Sequence, residues 1–351
     1  MRAWIDQLAA GGTIPREELT ALIEGRTPQL AEYLFSLARQ VCERYYGDQV
    51  YLRGLIEFSS FCKNDCYYCG LRCSNRQAQR YRLSAEEIWD CCQVGYQLGF
   101  RTFVLQSGED PWYTDEKLVE IVTGIHRRWP DCAITLSLGE RSAESYQALF
   151  DAGANRYLLR HEAANPWLYG HLHPARQRLA DRMECLSQLK RIGYQVGAGF
   201  MVGAPGQTVA HLADDLLYLQ QLQPHMVGIG PFIPHHDTPF AGKPAGSLEL
   251  TLFLLGLTRL MLPSVLLPAT TALGTLAEDG RELGMRSGAN VIMPNLSPKE
   301  VREKYLLYDN KRCTGDEAAE YHQEFSRRMA TVGRRISLER GDWQPVPLTE
   351  R

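Results

Sequence analysis

A chain of 351 residues with 44% hydrophobic content can bury a large core, sized for one big α/β barrel or for two ordinary domains. Its net charge of −3, without basic runs, argues against a nucleic-acid surface, and no apolar stretch approaches the roughly 20 residues that cross a bilayer. Ten cysteines with no secretory leader predict reduced thiols in a soluble cytoplasmic protein and not a disulfide framework.

Residues 1–50 read as short helical pieces broken by Gly11, Gly12 and Pro15, a helical extension ahead of the main body. From residue 51, β-like runs alternate with helical stretches, the pattern of parallel strands joined by crossover helices. The predicted strands are 51–60, 101–109, 133–140, 155–162, 195–203, 225–233, 266–274 and 290–297. Helices are predicted near 84–99, 114–129, 142–152, 178–192, 208–222, 247–262 and 278–286. The first of these opens on a Ser84/Glu87 capping box and stops at Gly99. Eight such repeats over 51–310 predict a (βα)8 TIM-type barrel; a doubly wound open sheet is the alternative, since periodicity does not show closure. Residues 311–351 are expected to form a C-terminal helical segment and tail of the same compact unit. There EYHQEFSRRMATVGRR reads as an amphipathic closing helix whose basic end is either a solvated face or a partner contact.

Just beyond the first predicted strand lies FSSFCKNDCYYCG, where Cys62, Cys66 and Cys69 form a Cys-x3-Cys-x2-Cys run. Three closely spaced thiolates hold three corners of a cubic iron-sulfur cluster and leave the fourth iron open. Zinc is the rival, but structural zinc sites usually close a tetrahedron with a second spaced pair, and the adjacent Cys91 and Cys92 have the wrong spacing. Cys73, Cys91, Cys92, Cys132 and Cys185 read as buried small hydrophobes or incidental thiols, with Cys73 close to the run.

In parallel α/β folds the working residues gather where strands end. Here those ends carry Gln106-Ser107-Gly108-Glu109-Asp110, Thr135, Glu140, Arg160-His161-Glu162, Met201, Met226, Pro231, Thr270-Thr271 and Met293-Asn295. An open iron at a barrel mouth suits S-adenosylmethionine (SAM), whose sulfonium it reduces to release a 5'-deoxyadenosyl radical. That chemistry asks for a carboxylate at the ribose, a role for Glu162, and a guanidinium at the methionine carboxylate, a role for Arg182. The turn at Ser107-Gly108-Glu109-Asp110 offers acceptors to the ammonium, and Tyr67 or Tyr68 lies against the adenine. The plainer alternatives are a solvated helix residue at Arg182, a helix-approach cap at Glu109 and barrel-mouth packing for one tyrosine. His235 and His236 in PHHDTP are adjacent, and on a strand they would point to opposite faces, which disfavours a shared metal.

The cysteine run resembles the signature of the radical SAM superfamily. The segments IEFSSFCKNDCYYCGLR, VLQSGED, ITLSLGE, RYLLRHEAANP, MVGAPGQT, MVGIGPFIPHHDTP, LPATTALGT and GANVIMPNLSP are similar, in order and spacing, to the HydE family of [FeFe]-hydrogenase maturases, over about residues 50–310. The resemblance implies a [4Fe-4S] cluster on Cys62, Cys66 and Cys69, with Arg160, Glu162 and Arg182 around SAM and Tyr308 near the same pocket. It further implies an inner cavity lined by Gln106, Ser107, Thr135, Met226, Thr270, Thr271, Met293 and Tyr305. The family's substrate is a small cysteine-ligated iron complex with carbonyl and cyanide, and its sulfur is the site of radical attack in building the hydrogenase di-iron subcluster. An electron donor and other maturation proteins are the implied partners. Some members carry a second, C-terminal cluster on Cys-x7-Cys-x2-Cys. Here only Cys313 remains, with Tyr321 and Glu324 at the other two positions, so a single cluster is expected. The rivals are a methylornithine synthase-like mutase acting on an amino acid, a biotin synthase, which would need further inward cysteines, and a non-catalytic cluster carrier, which has no use for Glu162 and Arg182.

Overall fold

The computed structural model describes residues 1–312 and 322–350. Strands β1 (Gln49–Leu52), β2 (Gly54–Ser59), β3 (Thr102–Ser107), β4 (Ala133–Ser137), β5 (Arg156–Leu158), β6 (Gln195–Val202), β7 (Met226–Pro231), β8 (Val291–Ile292) and β9 (Arg335–Ser337) occur in that order. Helices are α1 (Arg2–Ala9), α2 (Arg16–Glu24), α3 (Pro28–Tyr46), α4 (Ala85–Gln97), α5 (Asp115–Arg128), α6 (Ala143–Asp151), α7 (Pro166–Leu172), α8 (Leu179–Ile192), α9 (Val209–Leu222), α10 (Leu248–Met261), α11 (Thr271–Leu276), α12 (Gly280–Arg286), α13 (Lys299–Arg302) and α14 (His322–Ala330). Among the described residues, no helix is long and apolar enough to cross a membrane.

β2 to β7 form one parallel sheet in chain order. Single parallel bridges carry the ring onward: Met226 to Leu266, Pro268 to Val291, and Leu55 to Asn295 back beside β2. Backbone bonds from Arg53 N to Ile292 O (3.0 Å), Leu55 N to Pro294 O (2.9 Å) and Leu296 N to Leu55 O (2.7 Å) hold this seam. The circuit of eight strand positions is therefore closed, as the TIM-type expectation requires, although two positions are much shorter than the sequence suggests. The expected strand 266–274 is extended only around Leu266 and Pro268, because proline lacks an N–H for the ladder and Thr270 caps α11, which starts at Thr271. Pro294 likewise limits the last strand to Val291–Ile292. The expected strand 155–162 keeps Arg156–Leu158, and Glu162 returns to bridge Phe200.

The helices fall where their caps place them. At α4 the Ser84 hydroxyl accepts from Glu87 N (3.2 Å) and the Glu87 carboxylate accepts from Ser84 N (2.6 Å), the reciprocal capping box. α10 is buried along all of Thr251–Met261 because it lies between β7 and the N-terminal α1 and α3, which explains a helix apolar on every side. The C-terminal segment differs from expectation. α14 ends at Ala330, and Arg335–Ser337 then runs as β9, parallel to β1, with Gln49 opposite Arg335. Beyond β9 the tail crosses the strand N-termini: Arg340 O accepts from the Thr102 hydroxyl (2.7 Å), Asp342 pairs with Arg156 (2.7 Å), and the Trp343 ring stands edge-on to His225.

Candidate active site

At the strand C-termini a cavity of about 360 Å³ collects most of the residues singled out above. Cys62, Cys66, Cys69, Tyr68, Gln106, Ser107, Gly108, Glu109, Arg160, Glu162, Arg182, Thr270, Thr271, Met293, Tyr305 and Tyr308 all line it. Thr135 and Met226 do not. They line a small separate pocket towards the strand N-termini with Arg53, Arg156, Gln195 and His225, since Thr135 sits mid-strand and Met226 opens β7.

The cysteine loop is pinned by its own polar residues before anything binds. Asp65 accepts from Arg72 Nε (2.7 Å) and the Ser74 hydroxyl (2.7 Å). Arg80 donates to the carbonyls of Leu71 (3.0 Å), Arg72 (2.8 Å) and Asn75 (3.2 Å). The loop is tied to its neighbours by Lys63 N to Glu109 O (2.8 Å), Gly108 N to Ser59 O (3.2 Å) and Gly70 N to Leu307 O (2.9 Å). A Cβ on Gly108 would lie 2.2 Å from Phe61 O and 2.8 Å from Cys62 Cβ, so only glycine permits that approach. The Cys66 thiol, beside Gln177 Nε2 (3.5 Å), is pushed up to about 12 by burial, and burial also raises Cys62 and Cys69. Thiols this reluctant to ionise alone need a cation to become thiolates, as metal ligation supplies.

Glu162 has φ +65, a left-handed conformation that is costly outside glycine and concentrates at functional sites. The Arg160 Nη2 and Glu162 Oε2 atoms stand 3.2 Å apart without hydrogen-bond geometry. Both atoms, together with Arg160 Nε, Glu109 Oε2 and the Thr270 hydroxyl, are buried without a hydrogen-bond partner. Buried polar atoms are rarely left so, and this set asks for a polar guest. Arg182 is by contrast already engaged, donating to Glu140 Oε1 (2.5 Å) and to Arg160 O (2.7 Å); the guanidinium with open donors is Arg160. Tyr68, on the cavity wall, donates its hydroxyl to His173 Nε2 (3.2 Å), a direction fixed because His173 Nδ1 donates to Tyr169 O (2.8 Å). Tyr67 instead packs outward against Phe240.

Several sequence readings change. Asp110 is taken up by the Ser59 hydroxyl (2.7 Å) and Arg82 (2.7 Å) and stands outside the cavity. Cys91, Cys92 and Cys132 are buried, whereas Cys185 is half-buried and Cys73 exposed. His235 and His236 lie in the turn after β7, not on a strand, so their rings stack at 4.4 Å instead of diverging. They form a possible three-ligand group with Asp309, but His236 Nδ1 is already paired with Asp309 (2.6 Å) and His235 Nδ1 accepts from Asp237 N (3.1 Å). Glu324 pairs with Arg327 on α14, while Cys313 and Tyr321 lie outside the described residues. Two charged cavity residues escape the sequence reading, Glu57 and Lys311, whose side chains pair at 2.5 Å almost wholly buried. The available signal for the first was a lone charge in the apolar run LIEF.

The radical SAM superfamily profile matches residues 56–219, the stretch holding the cysteine loop, Glu162 and Arg182. The chain is 50% identical over 282 residues to the [FeFe] hydrogenase maturase subunit HydE of Thermotoga maritima, covering 80% of each chain. It belongs to the HydE family of radical SAM enzymes. Other members of the superfamily lie farther off: the 3-methylornithine synthase of Methanosarcina barkeri is 31% identical, with 87% of this chain and 86% of that one covered. The crystal structure of methylornithine synthase superposes with a TM-score of 0.84 at 28% identity over 95% of this chain and 97% of that one. The family implies a [4Fe-4S] cluster and SAM, and the residues present fit both. Three thiols share one braced loop at the mouth, Gly108 lets that loop pack directly against the end of β3, and donors and acceptors without hydrogen bonds at Arg160, Glu162 and Glu109 face the same space.

Proposed function

We propose that this protein acts in assembly of the di-iron subcluster of [FeFe] hydrogenase, and that its cavity holds a small cysteine-ligated Fe(CO)2(CN) complex whose sulfur is attacked by a 5'-deoxyadenosyl radical. Cys62, Cys66 and Cys69 would hold one [4Fe-4S] cluster, and residues 51–310 would form the catalytic barrel, with 1–50 and 311–351 in the same compact unit. When bound, that cluster supplies the electron that cleaves SAM. The chain's own part is to hold and orient. Arg160 offers its open donors to the methionine carboxylate, while Arg182, held by Glu140, sets the Arg160 main chain. Glu162 accepts from the ribose hydroxyls, and the backbone at Ser107-Gly108-Glu109 receives the ammonium. Tyr68 stands where an adenine would pack. Gln106, Thr270, Thr271 and Tyr305 offer hydroxyls and an amide to cyanide or carboxylate, and Met293 a soft wall to carbonyls; Thr135 and Met226 would serve a guest reaching deeper into the barrel. Burial of the reacting atoms in this cavity would limit the access of water to the radical.

The observation that carries this reading is the convergence on one cavity of the three-thiol loop and of Arg160, Glu162 and Glu109 atoms that are buried without a hydrogen-bond partner, in a chain half identical to a HydE maturase. The test is an anaerobic activation assay with apo-hydrogenase and the other maturation proteins constant, adding or omitting this protein after reconstitution with iron and sulfide. Hydrogen evolution should require it and vanish with Cys62→Ala. The likeness to methylornithine synthase over nearly the whole chain favours a mutase as second reading. Conversion of lysine, with no hydrogenase activation, would put it first.

A further inference from the structure

Directly behind Glu162 lies a polar pair that the proposed reaction does not use. His161, on the residue before Glu162, and Asp215, on α9, are both fully buried, with His161 Nε2 3.2 Å from Asp215 Oδ1. Gly199 N donates to His161 Nδ1 (3.4 Å), which leaves Nε2 as the protonated nitrogen and Asp215 as its acceptor. The same Asp215 oxygen accepts from Ala164 N (2.6 Å). Between these two anchors the chain makes a three-residue turn, Ala163 N donating to His161 O (2.8 Å), with Glu162 N donating to Gly199 O (3.0 Å). Glu162 is the centre of that turn and has φ +65. The Tyr218 ring stands edge-on to His161 at 4.9 Å, closing the pair off from water.

A buried carboxylate is costly unless its bonds do something specific, and a side chain does not stay left-handed unless its surroundings fix it there. Each observation accounts for the other. We propose that the His161–Asp215 pair is a positioning device: it clamps the chain on both sides of Glu162, holds that residue in its left-handed turn with the carboxylate on the cavity wall, and thereby sets the affinity for SAM. This rests on the reading of Glu162 as the ribose partner.

The test is a double-mutant cycle on the cluster-loaded protein, measuring the SAM dissociation constant by equilibrium dialysis and amide hydrogen exchange at Ala163 and Ala164. Asp215→Ala should weaken SAM binding about tenfold or more, the usual cost of losing a supporting partner, and speed exchange at both amides. Asp215→Asn, whose amide oxygen still accepts from Ala164, should recover most of the affinity. In a Glu162→Gln background Asp215→Ala should add less than about a twofold loss, because the two act as a unit. If Asp215→Ala does not fold, His161→Phe keeps the ring volume, removes both nitrogens and carries the same cycle. Wild-type SAM affinity in a folded Asp215→Ala or His161→Phe protein, or an equal loss on both backgrounds, would overturn the proposal. Wild-type affinity in Glu162→Gln alone would instead overturn the ribose assignment.

Discussion

Glu57 brings a charge into the interior of a strand buried along its whole length, and it is tolerated because Lys311 reaches back across the cavity wall to meet it. The Lys311 ammonium also donates to Tyr305 O (2.9 Å), and Asn295 Nδ2 donates to the second Glu57 oxygen (3.0 Å). Removing one member of such a pair strands the other without water. Lys311→Met should therefore lower stability by about 3–5 kcal/mol in urea denaturation, and adding Glu57→Gln should restore part of the loss. His173 gives the pH counterpart. Burial lowers its pKa from 6.5 to about 4, so between those values the unfolded chain binds a proton that the folded protein refuses. Its contribution to stability is complete above about 6.5 and is lost as the pH falls toward 4. Denaturation at pH 7 and pH 5 should show this loss, with a shallower drop in His173→Gln.

At the scale of elements, helices were legible because caps and apolar periodicity are local; α4, α5, α8 and α9 begin and end within two residues of expectation. Strands 266–274 and 290–297 are overread from the sequence because short runs rich in apolar and β-branched residues look alike whether or not a proline cuts the ladder. The tail strand β9 was invisible, since RRIS carries no alternation until β1 is known to be its partner. The cysteine loop and the strand-end polar residues could be found from spacing and from the periodicity of the barrel. Glu57 with Lys311, or His161 with Asp215, could not, because those pairs are joined by the fold across 254 and 54 positions. The junction of β3 with the cysteine loop offers a direct element-scale test. Gly108→Ala puts a methyl 2.2 Å from Phe61 O, so the loop must shift. 5'-Deoxyadenosine formation should fall by about 100-fold, the cost of misplacing reacting groups by about 1 Å, with circular dichroism retained and the melting temperature lowered by the backbone clash.

Over the whole molecule, the two ends of the barrel are treated differently. The strand N-termini are crossed by the tail, through Arg340, Asp342 and Trp343, whereas the strand C-termini carry the cysteine loop, the segment from Tyr305 to Lys311 and the cavity between them. Tyr305–Lys311 is tied at Gly70 and, through Asp309 N to Pro234 O (3.0 Å), to the turn after β7. One accessible chamber beside three thiols is what the proposed chemistry requires, and its central claim is that SAM occupies an open iron there. The measurement that bears on this most directly is the electron paramagnetic resonance spectrum of the reduced, reconstituted protein, recorded with and without SAM alongside an iron determination. The account predicts about four irons per chain, a spectrum that shifts when SAM is added, and loss of the signal in Cys62→Ala. A spectrum indifferent to SAM would contradict it and leave a cluster carrier in its place.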